Sequence, residues 1–469
     1  MFPQAQLLTL VALTVAALNA RAAVVHYPPI QSNINNLTFV LTGTGAPGIY
    51  NSSTTPDALY GEYNWCNMPH VRPREYKTPS KDYSLKYVEV IHRHHKRTPY
   101  SSNTFFKEDI PWNCTGEGPV VYGKGPGGVS AQVSEIQWAG FTDAQNPFIS
   151  TVGPGFVGSD CQLPQITEGG LVDSHTHGAD LRAVYGSRLK LKEKLDPDVV
   201  KVRVTNNVIT SQVAGSLLNA LFPSTDNVAV EIQSGTYDSL EPTYSCPTAN
   251  NVKNGYMNSA NWTGHLSAAA PLYAKLDQVS GTSNPDNGGW HSSFDHYYDN
   301  LSAKLCHQKT LPCSVNDTAS CVTQDEADEV FRLGNWEYSY QYRDAPGTAQ
   351  YSALHYGAWV LELQSHLQGV ISGKSKLRYV HNVAHDGSVS SLLGFLQIDK
   401  MVWPGMGSEV VFELYEKQNA YYLRVLWGGQ PMVTSTPLGT LDLIPVQEFY
   451  DYVQSMVGTS TDLLANCFS

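Results

Sequence analysis

The chain has 469 residues, a length that fits two to three domain-sized units or one large α/β domain with an insertion. Its 30 Lys and Arg against 42 Asp and Glu give a formal net charge of −12, which argues against nucleic acid or an anionic membrane as a general partner. Any binding of a negatively charged ligand therefore needs a local basic pocket.

The N-terminus predicts a secretory signal peptide at residues 1–22. An apolar run at 7–18 precedes Ala-Arg-Ala at 20–22, a pattern that signal peptidase cleaves, so we expect the mature chain to begin near Ala23. No later apolar stretch is long enough to span a bilayer. Residues 23–84 are rich in Pro, Asn, Ser and Thr and predict an irregular arm.

Cysteines and glycosylation motifs agree with an extracellular location. Eight cysteines spread over the chain favour structural disulfides formed in an oxidising compartment, although eight cysteines allow about 105 pairings. Six Asn-x-Ser/Thr motifs predict a glycosylated surface; they start at Asn36, Asn51, Asn113, Asn261, Asn300 and Asn316.

The first motif with chemical meaning follows a predicted strand. Residues 85–91 are rich in β-branched and aromatic side chains, which predicts a buried strand that delivers His94 to its carboxyl end, where open α/β sheets bind ligands. Residues 93–99 read Arg-His-His-Lys-Arg-Thr-Pro, so Arg93 and Arg97 bracket His94. Because guanidinium groups match phosphate oxygens bidentately and stay charged, this motif indicates a phosphate site.

The middle of the chain alternates strands and helices. Residues 200–205 predict a strand, 208–221 a helix with apolar side chains at 209, 213, 217 and 221, and 228–232 a further strand. Between about 241 and 349, four cysteines, three glycosylation motifs and many Asn, Gly and Ser residues interrupt short helical stretches, which predicts an inserted domain.

The last third predicts a second strand aimed at the same site. A helix is expected at 354–370 and a strand at 377–384, immediately before His385 and Asp386, and an antiparallel hairpin follows at 410–415 and 421–427. These elements predict an α/β fold with a mixed, mainly parallel sheet flanked by helices. Residues 85–240 and 350–469 would form the catalytic core, and 241–349 the smaller, mostly helical insertion.

Both motifs resemble those of the histidine acid phosphatases, the branch of the histidine phosphatase superfamily that includes fungal phytases. The family pattern is Arg-His-Gly-x-Arg-x-Pro with a later His-Asp pair, and six of its seven positions are matched here. The resemblance implies that His94 is the nucleophile, that Asp386 protonates the leaving oxygen, and that Arg93 and Arg97 bind the phosphoryl group. It implies no metal and no cofactor.

The resemblance extends more weakly over roughly residues 85–430. It implies that Arg203, near the end of the 200–205 strand, and His385 also bind phosphate. The family glycine after the nucleophile is His95 here, and a second arginine six residues beyond the position of Arg203 is replaced by Ile209. These two departures put substrate range and rate in question.

We therefore expect a secreted acid phosphatase that hydrolyses small phosphate monoesters through a phosphohistidine, with no nucleic-acid partner and an oligomeric state that the sequence leaves open. Phytase-type activity within the same family is one alternative. A second is a catalytically impaired phosphate-binding glycoprotein, in which His95 blocks productive geometry.

A third alternative is a metal-dependent hydrolase. His92 and His94, the run Asp-Ser-His-Thr-His at 173–177, and the His385–Asp386 pair include plausible zinc ligands. The two arginines beside His94 oppose it, because their positive charge would disfavour a cationic metal.

Overall fold

The computed structural model describes residues 33–105, 110–124, 133–151, 158–225, 227–282 and 288–469. The predicted signal peptide at 1–22 and the expected start at Ala23 lie outside these residues and stay predictions.

One mixed sheet organises the molecule. Its strands, in spatial order, are β10 (Gln430–Pro431), β9 (Ala420–Trp427), β8 (Glu409–Lys417), β1 (Ser84–Arg93), β7 (Tyr379–Ala384) and β4 (Val200–Val204), with β11 (Ile444–Pro445) also paired to β9. Two short hairpins lie outside this sheet, formed by β2 (Val120–Lys124) with β3 (Val133–Gln137) and by β5 (Cys313–Ser314) with β6 (Asp317–Cys321).

The parallel half of the sheet brings the two sequence motifs together. Strand β7 lies between β1 and β4 and is parallel to both, with Arg93 opposite Ala384 in the register. Carboxyl ends of parallel neighbours meet at one edge of a sheet, so the residues that follow β1, β7 and β4 converge. The predicted mixed α/β fold is confirmed.

The other half of the sheet is antiparallel. Strand β8 pairs with β1 and with β9, so the predicted late hairpin is present. The strand predicted at 228–232 is wrong: this segment makes one bridge, from Glu231 to Arg203. A single bridge adds no row of ladder hydrogen bonds, so the segment is irregular.

Helices cover the sheet. In chain order they are α1 (Leu37–Thr42), α2 (Glu168–Tyr185), α3 (Val208–Leu221), α4 (Pro247–Met257), α5 (Ala260–Ala268), α6 (Ala270–Ser280), α7 (Asp295–Cys306), α8 (Gln324–Ser339), α9 (Thr348–Ile371), α10 (Asp386–Phe395), α11 (Val446–Met456) and α12 (Ser460–Cys467). Helix α3 begins where the Asn207 side chain accepts the amide of Ile209, and its apolar stripe is fully buried.

The predicted inserted region, 241–349, contains α4 to α8. Its buried side chains, including those of Tyr298 and Phe331, belong to the same apolar cluster as Val360 and Phe412 of the sheet region. The helical character agrees with the sequence, whereas the division into domains stays a prediction.

All eight cysteines form disulfides: Cys66–Cys306, Cys114–Cys161, Cys246–Cys467 and Cys313–Cys321. Five of the six glycosylation motifs start at exposed asparagines, but Asn300 is fully buried and its amide donates to the carbonyl of Asn103. Asn300 therefore cannot carry a glycan in the folded protein. No helix among the described residues is both long and apolar enough to cross a membrane.

Candidate active site

His94 lies directly beyond the end of β1, between two backbone hydrogen bonds that fix its position. Its amide donates to Ala384 of β7 over 3.0 Å, and the amide of Gly407 donates to its carbonyl over 3.0 Å. The imidazole Nδ1 donates to the carbonyl of His95, also over 3.0 Å. This bond leaves the lone pair on Nε2, which is the atom that can attack an electrophile.

The surroundings keep His94 unprotonated. Burial is the largest effect, and the positive charges of Arg93 and Arg97 add to it, so the pKa of His94 lies well below its ordinary value. Nε2 of His94 would therefore keep its lone pair at acidic pH.

Arg93 links the two motifs. Its Nη2 lies 3.3 Å from Oδ2 of Asp386, its Nη1 donates to the carbonyl of Pro404 over 2.7 Å, and its guanidinium carbon lies 4.7 Å from the ring centre of Trp65. The residue is 1% exposed, and its Nε has no partner among the described residues. The arginine is thus held rigidly beside both His94 and Asp386.

Arg97 is bound by a carboxylate of α7, that of Asp299. Its Nη1 donates to Oδ1 of Asp299 over 2.9 Å and to the carbonyl of Thr98 over 2.9 Å, and its guanidinium carbon lies 4.3 Å from the ring centre of Tyr100. Like Arg93, it has an Nε atom without a partner in the described part of the chain. Asp299 was not found from the sequence, because 202 residues separate it from Arg97 and no motif marks it.

Asp386 begins α10, where its carboxylate receives several hydrogen bonds. Oδ2 accepts the indole Nε1 of Trp403 over 2.7 Å and the hydroxyl of Tyr338 over 3.2 Å, and Oδ1 accepts the amide of Gly387 over 3.0 Å. Burial acts to raise the pKa of Asp386, but the charge of Arg93 and the indole bond outweigh it, so the pKa lies below its ordinary value.

His385 lies beside His94, with the two ring centres 5.5 Å apart. Its Nε2 is 2.8 Å from the hydroxyl of Thr205, which follows β4, and 3.6 Å from Oε2 of Glu241. Burial lowers the pKa of His385 to about 4. The structure thus brings together His94, Arg93, Arg97, His385 and Asp386, while their roles stay predictions.

Arg203 has other partners than the residues grouped around His94, and its expected role at the phosphate site stays a prediction. Its guanidinium donates to Glu362 over 2.7 Å, to Asp238 over 2.9 Å and to Gln233 over 2.5 Å. It lies one residue before the end of β4, opposite Asn382 of β7 in the register, and its side chain is 12% exposed. Two carboxylates already balance its charge, so a phosphate ligand would have to displace them.

His95, the residue in place of the family glycine, points away from the pocket into a buried cluster of histidines. Its Nε2 donates to Nδ1 of His177 over 3.1 Å, and Nε2 of His177 donates to Oε2 of Glu409 over 2.8 Å. Burial lowers the pKa of both imidazoles, so the chain of bonds is built from neutral rings. The side chain of His95 therefore supports the loop that carries His94, and its carbonyl orients the His94 ring.

His92 joins the same cluster from the strand. Within the described residues, His92, His95 and His177 each offer one nitrogen, and these atoms lie within 4.8 Å of one another. Hydrogen bonds already use them: Nε2 of His381 donates to Nε2 of His92 over 2.9 Å, and Nδ1 of His92 donates to the carbonyl of Arg93.

The ligand set named for a metal-dependent hydrolase does not converge. His175 is exposed on α2, His177 and His92 belong to the buried cluster, and His94 and His385 lie beside the two guanidinium groups.

A further carboxyl group near the site was not found from the sequence. Asp295, at the start of α7, has a pKa raised to about 7 by burial and by the negative charges of Asp299, Asp386 and Glu337. Unlike Asp386, whose pKa is lowered, Asp295 would hold its proton through the acidic range.

The chain matches the family model of the histidine phosphatase superfamily (branch 2) over residues 84–427. It is 24% identical to counting factor 60 of Dictyostelium discoideum over 411 residues, covering 84% of this chain and 90% of that protein. It is 22% identical to 2-phosphoxylose phosphatase 1 of Xenopus tropicalis (86% and 81% covered) and 23% identical to prostatic acid phosphatase of Mus musculus (65% and 80% covered).

The fold is also similar to solved structures. The multiple inositol polyphosphate phosphatase of Bifidobacterium longum, in complex with inositol hexasulfate, matches with a TM-score of 0.52 at 11% identity, covering 85% of this chain and 98% of that one. The phytase of Hafnia alvei matches with a TM-score of 0.50 at 14% identity, covering 82% and 99%. With the family match and the phosphatases among its relatives, the chain belongs to the histidine phosphatase superfamily, branch 2, and the expected phosphoric monoester hydrolase of histidine acid phosphatase type is confirmed.

Proposed function

We propose that the protein is a secreted acid phosphatase that transfers the phosphoryl group of a monoester to His94 and then to water. One observation carries this proposal: an unprotonated imidazole, two buried guanidinium groups and a carboxyl group lie together at the carboxyl ends of β1 and β7, with Arg93 paired to Asp386 and both arginines lowering the pKa of His94.

In the first step, the Nε2 lone pair of His94 attacks phosphorus and the ester P–O bond breaks. The leaving oxygen takes the proton of Asp386, while Arg93 and Arg97 offset charge on the equatorial oxygens. In the second step, water attacks the phosphohistidine, the P–N bond breaks, and Asp386 takes a proton from the water. Inorganic phosphate leaves and the enzyme returns to its initial state.

Asp386 must be protonated when the ester is bound. Its pKa is low in the free protein chiefly because the charge of Arg93 overcomes the effect of burial. A bound phosphate offsets the arginine charges and so raises the pKa of Asp386 again. We expect activity to be highest at acidic pH, where this carboxyl carries its proton and His94 is still neutral.

The test is turnover of a phosphate monoester by His94→Ala. We expect a loss of roughly 10³-fold or more in kcat, since the nucleophile is removed. His175→Ala, an exposed histidine on α2, serves as the matched control and should keep wild-type turnover. Near-native turnover by His94→Ala would exclude the mechanism.

The same assay separates the alternatives. A chelator should leave turnover unchanged; loss that zinc restores would identify a metal-dependent hydrolase instead. Binding of phosphate without turnover of any monoester would identify a non-catalytic phosphate-binding protein.

Secretion is supported by the four disulfides and by the predicted cleavage site. N-terminal sequencing of the protein recovered from culture medium should give a start near Ala23. Retention inside the cell with the first 22 residues attached would contradict this part of the proposal.

A further inference from the structure

A cleft of about 870 Å³ opens beside the candidate active site. It shares two residues with the surroundings of that site: the ring of Tyr100 lies against the guanidinium of Arg97, and the hydroxyl of Thr205 lies 2.8 Å from Nε2 of His385. A group attached to a phosphate held by Arg97 could therefore extend into this cleft. Its volume is within the range of ordinary small-molecule sites, about 300–1,000 Å³.

The lining of the cleft is uncharged. One wall is the β2–β3 hairpin and the other is the start of α3, and none of the 16 described lining residues is Lys, Arg, His, Asp or Glu. The hairpin contributes two exposed aromatic rings, Tyr122 at 66% and Trp138 at 44%. Opposite them, Asn206, Ser211 and Gln212 supply neutral polar groups.

This composition selects for one kind of leaving group. Exposed aromatic faces bind flat apolar rings by stacking, and neutral amides and hydroxyls hydrogen-bond uncharged polar atoms. A leaving group with further phosphates would bring several negative charges into a cleft whose described lining has no cation. The carboxyl group of Glu241, 3.6 Å from Nε2 of His385, is a further acidic group beside the site.

We propose that this cleft binds the leaving group of the substrate and selects monoesters whose leaving group is uncharged and carries a flat ring, over polyphosphorylated substrates such as inositol hexakisphosphate. The inference rests on the proposed phosphatase function. It assigns substrate choice to the hairpin, a segment that contributes no residue to the phosphate site itself.

The experiment compares Trp138→Ala with a matched control, Phe141→Ala. Phe141 follows the same hairpin and is 84% exposed, but it does not line the cleft. Both replacements remove an exposed ring, so neither should affect folding. The probes are 2-naphthyl phosphate, with a flat ring, glycerol 2-phosphate, with a small aliphatic group, and inositol hexakisphosphate.

For Trp138→Ala we expect kcat/KM for 2-naphthyl phosphate to fall about tenfold, mainly through KM, because the lost contact is made equally in the ground and transition states. Glycerol 2-phosphate should change less than about twofold, since it is too small to reach the ring. Phe141→Ala should leave both esters unchanged. Wild-type kcat/KM should be lowest for inositol hexakisphosphate.

Three results would overturn the inference: an equal loss on both esters in Trp138→Ala, no loss on either, or preferred hydrolysis of inositol hexakisphosphate by the wild-type protein. Failure of the proposed function looks different, because the wild-type protein would then turn over none of the three probes. In that case the affinities of the wild-type protein and of Trp138→Ala for 2-naphthyl phosphate, measured by calorimetry, test the cleft separately. Equal affinities would refute the inference.

Discussion

Replacing Trp403 by phenylalanine isolates the hydrogen bond that acts on the proposed proton donor. The indole Nε1 donates to Oδ2 of Asp386 over 2.7 Å, and the ring stacks on Tyr338 with ring centres 4.0 Å apart. Phenylalanine keeps an aromatic ring for the stacking contact but has no donor. The substitution therefore changes the ionisation of Asp386 while leaving its carboxyl group in place.

The size and sign of the effect follow from the structure. A hydrogen bond to a charged group contributes about 1.5–3 kcal/mol, and one pKa unit corresponds to about 1.36 kcal/mol, so the pKa of Asp386 should rise by about 1–2 units. The lost bond favoured the carboxylate, so the carboxyl of Trp403→Phe stays protonated to higher pH. If Asp386 is the proton donor, the falling limb of the plot of kcat against pH shifts to higher pH by the same number of units.

The assay is kcat and kcat/KM for an alkyl phosphate, glycerol 2-phosphate, whose leaving oxygen needs the proton, measured across pH with thermal unfolding as a check on folding. Tyr338→Phe is the graded control, since its hydroxyl donates to the same oxygen over a longer 3.2 Å. Tyr338→Phe should shift the falling limb to higher pH by a smaller amount than Trp403→Phe does. A folded Trp403→Phe variant with an unmoved pH profile would refute Asp386 as the group that titrates.

Three further predictions concern the groups around the nucleophile. Gly407 has φ +71, and a β-carbon there would meet the ring of His95. Gly407→Ala should therefore lower the free energy of unfolding by about 1–3 kcal/mol. In a double-mutant cycle measured by urea denaturation, His95→Gly should relieve part of that loss, and strict additivity of the two changes would count against the contact. Asp299→Ala leaves the buried charge of Arg97 unpaired and should cost about 3–5 kcal/mol in the same measurement, whereas a loss below about 1 kcal/mol would show that the pair is not buried in solution. Asp386→Asn should reduce kcat for alkyl phosphates by roughly 10²–10⁴-fold but affect p-nitrophenyl phosphate much less, because a nitrophenolate leaves without a proton; equal losses on both esters would argue against proton donation.

The histidine cluster explains how the chain departs from the family pattern without disturbing the position of His94. A glycine at position 95 would leave space behind the loop, and here the imidazole fills it and bonds to His177, which in turn bonds to Glu409. The sequence gives no sign of this arrangement, because the partners come from α2 and β8. The idea that His95 blocks productive geometry is disfavoured, since its ring points away from the pocket.

Local sequence determined the elements that carry the chemistry. Alternating and continuous apolar patterns were enough to predict the strands before His94 and His385, the helix at 208–221 and the late hairpin. An element that buries one face places its apolar residues at the repeat of a helix or of a strand, so their spacing indicates the type of element. The spacing of arginines around His94 and the distant His-Asp pair were enough to indicate a phosphate site. Both kinds of signal lie within short segments.

Only the tertiary structure decided which charges lie beside His94. The sequence predicted a phosphate-binding role for both Arg97 and Arg203, yet Arg97, paired with Asp299, lies close enough to His94 and Asp386 to lower their pKa values, whereas Arg203 is bound by Glu362 and Asp238 from distant parts of the chain. A side chain's ionisation and reach depend on the groups packed against it, and those contacts span up to hundreds of residues. The strand predicted at 228–232 failed for a related reason: the segment meets β4 only at the bridge between Glu231 and Arg203, and local sequence does not specify over how many residues two segments pair.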